Sequence, residues 1–95
     1  MILKISTENK GWVVYDNFDK VQYKHLKYKE AKQLDTDARW LYEASEDEET
    51  VCVYISAKKI RVDKDEERLG LEFSIVASGL VFLCNDEGKT IERIN

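Results

Sequence analysis

The chain contains one histidine, His25, and two cysteines, Cys52 and Cys84. A nucleophilic site needs a base beside its nucleophile and a third group to orient that base. His25 has no such arrangement around it in Tyr23-Lys24-His25-Leu26-Lys27 and reads as a partly exposed strand residue. Ala77-Ser78-Gly79 carries part of a nucleophile elbow but lacks the first glycine. Zinc sites cluster Cys and His ligands, which two distant cysteines and a lone histidine do not supply. Asp63-Lys64-Asp65-Glu66-Glu67 spaces carboxylates like a calcium loop. Arg68 stands where that loop needs glycine, however, and Ser74 where it needs its bidentate glutamate. The four glycines are scattered singly, so no phosphate-cradling loop is present. These residues predict no enzyme, no cofactor and no metal site.

Charge offers different chemistry. The net charge is −4, from 15 basic and 19 acidic residues, which disfavours a general nucleic-acid or anionic-membrane binder. The charges are segregated. Lys20, Lys24, Lys27, Lys29 and Lys32 face only Glu30, whereas Asp35, Asp37, Glu43, Glu46, Asp47, Glu48 and Glu49 face only Arg39. Lys58, Lys59 and Arg61 then restore positive charge. Such blocks steer charged partners. A row of carboxylates can also imitate a phosphate backbone. The predicted contact surface is therefore Glu46, Asp47, Glu48 and Glu49 with Asp63, Asp65, Glu66 and Glu67. Tyr23 and Tyr28 among Lys20, Lys24, Lys27 and Lys29 give the alternative, stacking and neutralisation of a single-stranded nucleic acid. Solvated faces that keep the chain in solution are the plain reading of both blocks. Trp12, Trp40 and Tyr42 are large enough to anchor a small core; any of them left exposed becomes an interface hot spot. Trp40 and Tyr42 join the predicted contact set.

The elements that must position these residues are mainly strands. Ile2–Ser6 alternates around Lys4, and Trp12–Tyr15 is β-branched and aromatic. Val21, Tyr23 and His25 alternate with Gln22, Lys24 and Leu26, as the return strand of a hairpin would. Ala31, Leu34, Ala38 and Leu41 have helical spacing, but Asp35-Thr36-Asp37 are weak helix formers. A short helix near 29–34 followed by a strand at 38–44 is preferred over one helix at 29–44. Strands follow at 50–56, 60–62, 69–76 and 80–84. Asn85-Asp86-Glu87-Gly88 fits a bulged hairpin turn into Thr90–Ile94, where Ile91 breaks the alternation. The predicted fold is mainly β, an antiparallel meander of seven or eight strands forming a small roll or open barrel. The alternative is α+β, with the helix at 29–44. Cys52 and Cys84 sit in apolar runs and are expected as packed thiols, a bridge between neighbouring strands being the other option.

Ninety-five residues allow a single domain, 1–95. No run approaches the ~20 apolar residues that cross a bilayer, and Met1–Ser6 is too short and too interrupted for a signal peptide. The chain is expected in the cytoplasm.

Met1-Ile2-Leu3-Lys4-Ile5-Ser6, Gly11-Trp12-Val13-Val14-Tyr15-Asp16-Asn17 and the run Phe82–Ile94 together resemble small uncharacterised proteins of bacteriophages and mobile elements in Gram-positive bacteria. The resemblance implies a setting in which small acidic inhibitors of host enzymes are common, and supplies no site residues. The expected function is a non-enzymatic protein-binding module, presenting an acidic surface to a host or nucleic-acid-handling protein. A small structural or oligomeric phage component is a third alternative.

Overall fold

Alternating apolar and polar residues put one face of a strand into a core and the other toward solvent. Ten runs, several of them alternating in this way, are strands in the computed structural model, which describes residues 1–7, 11–34, 38–40, 45–63, 66–69 and 72–95; for 38–40 and 66–69 it describes the strand backbone alone. In chain order they are β1 (Ile2–Thr7), β2 (Gly11–Asp16), β3 (Lys20–Lys27), then helix α1 (Tyr28–Ala31), β4 (Ala38–Trp40), β5 (Glu49–Ser56), β6 (Lys59–Val62), β7 (Glu66–Leu69), β8 (Phe73–Ala77), β9 (Val81–Cys84) and β10 (Thr90–Arg93). Sheet A has the order β10-β9-β1-β2-β6-β7, and sheet B the order β3-β5-β8-β4.

The inner faces meet in one core. Leu3, Ile5, Val13, Tyr15, Val81 and Leu83 of sheet A pack toward Val51, Val53, Ile55, Phe73, Ile75 and Ala77 of sheet B. The Tyr15 and Phe73 rings bridge the two layers with centroids 5.6 Å apart. Each fully buried aliphatic or aromatic side chain contributes about 1.5–3 kcal/mol. The outer face of β5 and β8 offers Cys52 and Val76, which α1 covers with Ala31. The helix lasts one turn. Gln33 and Leu34 donate their N–H groups to Glu30 and Ala31, the tighter three-residue step that closes a helix.

The short helix within a mainly β fold matches the sequence expectation. Asn85 does too: its Oδ1 accepts from the N–H groups of Glu87 and Lys89, both at 3.0 Å, and Gly88 sits at φ +85°. The register shifts between Thr90 and Glu92, so Ile91 is the bulged residue and stands 60% exposed. That bulge is why it breaks the alternation.

Connectivity differs from the expectation in three places. β3 is not the return strand of a hairpin with β2; it leaves for sheet B and pairs antiparallel with β5 from Lys20↔Ser56 to Lys27↔Glu49. The single strand expected over 69–76 is two strands in different sheets, β7 and β8. β4 pairs with β8 in parallel, Ala38↔Ile75 to Trp40↔Ala77, so neighbours in space are not always neighbours in sequence, and the alternative helix over 29–44 is excluded by this strand. Cys52 and Cys84 are free and buried. They lie on opposite outer faces of the two sheets, too far apart for a bridge.

Candidate functional site

The acidic loop Glu46–Glu49 is exposed throughout, and its backbone explains how it is held. The first amides of a helix have no acceptor within it. The carbonyl oxygens of Glu48 and Glu46 accept from the N–H groups of Tyr28 and Lys29 at 2.8 and 3.1 Å. Asp47 Oδ1 lies 3.6 Å from Lys27 Nζ and 3.9 Å from Lys29 Nζ. The β3–β5 register also sets Lys27 opposite Glu49. The fold thus brings the basic and acidic blocks together, and each partly neutralises the other. Exposed pairs of this kind contribute only about 0–1 kcal/mol.

The second acidic group belongs to the other sheet. Asp63, at φ +54°, accepts the Val14 N–H on Oδ1 at 2.8 Å and donates its own N–H to the Val14 carbonyl at 2.7 Å. Its carboxylate fastens the end of β6 to β2. Glu66 and Glu67 are placed by backbone in β7, paired with Val62 and Arg61. Asp65 lies outside the described residues, as do Asp35, Asp37, Glu43 and Tyr42; Trp40 is placed by backbone only.

The lysine and tyrosine residues of 20–29 do not share one face. Alternation along β3 turns Lys20 and Lys24 to the outer side of sheet B, in line with Cys52 and Ser56, and Tyr23 to the other side. The Tyr23 hydroxyl donates to Glu92 Oε1 at 2.5 Å. This bond, and the Glu92 charge with it, raises the phenol pKa above its ordinary 10.0. His25 stands edge-on to Tyr23 and donates from Nε2 to the Ile94 carbonyl at 2.8 Å. Tyr28 lies beneath Lys32 Nζ, 5.4 Å from the ring centroid. The tyrosines are therefore occupied by partners within the chain.

A cleft of about 450 Å³ opens where β3 begins, between Asp19, Lys20, Gln22, Tyr54, Ser56 and Glu72. Its described lining holds neither histidine nor cysteine. Tyr54 is held above the usual tyrosine range by its hydrogen bond with Cys52 and by desolvation. Among the described residues no three His, Cys, Asp or Glu side chains gather as metal ligands would, and no helix is long and apolar enough to cross a membrane.

The outer face of sheet A has a different character. Trp12 is 46% exposed and leans on half-buried Phe82, with ring centroids 5.6 Å apart. The registers Arg93↔Phe82, Phe82↔Lys4 and Lys4↔Val14 form one row across four strands. Leu3, Ile5 and Leu83 fill the core, so their neighbours Lys4 and Phe82 point outward. Leu80, 39% exposed, stands across β1 from Trp12: its N–H donates to Ser6 Oγ at 2.7 Å, and Ser6 pairs with Trp12 on the other side. Of the aromatics singled out as conditional hot spots, Trp12 is the one whose described side chain is exposed. Nothing in the sequence joins Phe82, Lys4 and Arg93, because the row exists only once β9 lies between β1 and β10. No family model, no curated protein and no solved structure matches this chain.

Proposed function

We propose that this chain is a non-enzymatic protein-binding module that docks through the outer face of sheet A, with Trp12 as its anchor. The observation that carries the reading is the exposed Trp12 ring packed at a tilt against Phe82. Large aromatics contribute most of the energy of protein interfaces when a partner desolvates them. Trp12 also makes little use of the core, which Leu3, Ile5, Val13 and Tyr15 fill without it. The acidic loop supports the reading less well than its sequence suggests, since Lys27 and Lys29 already sit against Asp47. The resemblance of the termini favours a host protein of a Gram-positive bacterium as partner, bound by a phage or mobile-element product in its cytoplasm.

The test is affinity capture from such a lysate with three baits: the native chain, Trp12→Ser, and a variant with Glu46, Asp47, Glu48 and Glu49 all changed to Ser. A partner held in stoichiometric amount by the native chain and the loop variant, and lost with Trp12→Ser, is the expected result. Equal capture by Trp12→Ser overturns it.

A further inference from the structure

We infer that the segment docking on this face is an acidic peptide with an apolar anchor, its carboxylates received by Lys4 and Arg93. The inference rests on the proposed docking face and adds the chemistry of the partner. Lys4 and Arg93 both stand opposite Phe82, one from each neighbouring strand. Adjacent strands are about 4.8 Å apart, so their Cα atoms are separated by about 10 Å with the aromatic ring between them. Neither cation has an ion pair or a side-chain hydrogen bond among the described residues.

Three described acids of neighbouring strands and turns have partners of their own. Asp16 is gripped by Arg61, with Oδ1 and Oδ2 each 2.9 Å from a guanidinium nitrogen. Asp63 accepts the Val14 amide. Glu92, next to Arg93, turns to the opposite side and receives the Tyr23 hydroxyl. In a chain of net charge −4, an aromatic pair flanked by two cations without an ion pair among the described residues is a local reversal of sign. Electrostatic complementarity selects an acidic partner at such a place. An extended peptide covers about 10 Å in three residues, which sets the spacing of its carboxylates, and an aliphatic or aromatic side chain between them meets Trp12 and Phe82. Two cations are few for a polyphosphate strand, whose binding accumulates many phosphate contacts.

The experiment is a selection of displayed random peptides on the immobilised full-length chain, followed by synthesis of the enriched sequences and anisotropy titration. The expected peptides carry Leu, Phe or Trp between Asp or Glu residues about three positions apart. Their affinity falls at least tenfold with Trp12→Ser and about tenfold with Lys4→Gln and Arg93→Gln together. As a check independent of any variant's folding, native binding weakens severalfold between about 0.05 and 0.5 M salt.

Enriched peptides without acids, no enrichment, or affinity insensitive both to salt and to the Lys4/Arg93 pair overturn the acidic partner. In those cases the docking face is still judged by the capture experiment. Enriched peptides indifferent to Trp12→Ser overturn the face itself. Binding of fifteen-residue oligothymidylate, abolished by Trp12→Ser and with a log–log salt slope near −0.7 per phosphate, overturns the peptide in favour of a single strand.

Discussion

The joint between β2 and β6 is short. Two register pairs, Tyr15↔Val62 and Asp16↔Arg61, connect the β6–β7 hairpin to the rest of sheet A. The Asp16–Arg61 ion pair spans this joint with two bonds of 2.9 Å. The partners are unequally hydrated: the Asp16 side chain is 11% exposed and that of Arg61 44%. Removing one partner therefore has unequal consequences. Arg61→Met leaves a carboxylate with little access to water, and losing the partner of a buried charge costs several kcal/mol at full burial. Discounted for the exposure of the guanidinium, the expected loss is about 2 kcal/mol. Asp16→Asn leaves a guanidinium that water can solvate and an amide oxygen that still accepts, so about 1 kcal/mol is expected. In a domain of this size, 2 kcal/mol lowers Tm by about 10 °C. Urea unfolding of the native chain, both single variants and the double variant gives the coupling directly. About 1 kcal/mol is expected, decreasing with added salt. Additive single effects, or Asp16→Asn costing more than Arg61→Met, would refute the argument.

Three further outcomes follow from the same geometry. Gly88→Ala places a Cβ at φ +85° and Asn85→Ala removes the acceptor of two backbone amides; each should cost about 1 kcal/mol in chemical unfolding. In a phenolate absorbance titration, Tyr23 and Tyr54 should ionise above the ordinary 10.0, and Glu92→Gln should lower the Tyr23 value. The sign for stability is fixed: the folded state keeps these protons after the unfolded chain releases them. The contribution is whole below pH 10 and is lost as pH rises through the higher folded values. Cys52 and Cys84 should resist a thiol reagent in the native state and react together on unfolding, so rapid reaction of one thiol at native pH would contradict its burial.

Local chemistry was readable in the sequence wherever it acts over a few residues. The asparagine and glycine of the last turn, the short helix ended before Asp35-Thr36-Asp37, and Lys4 interrupting Ile2–Ser6 all left local marks. The pairing of β3 left none, because Val21, Tyr23 and His25 alternate in the same way whether the neighbour is β2 or β5. The same holds for the candidate site. Trp12 could be named from its type, but its exposure depends on which layer β9 joins, and Arg93 reaches the same row only through Phe82. The acidic blocks read as a separate surface because sequence distance hides the register that sets Glu49 opposite Lys27.

The position of β1 bears on the order of events during synthesis. Its partners are β2 on one side and β9 on the other, with Leu3 paired to both Tyr15 and Leu83. The first hairpin can close as soon as it leaves the ribosome, yet the central ladder of sheet A stays half-made until residues 81–84 have been translated. Throughout that interval the second edge of β1 is an open template for strands of other chains. Pairing across such sequence separations slows folding, to milliseconds or seconds in β domains. Strand β1 therefore waits through the translation of about 65 residues between its two partners.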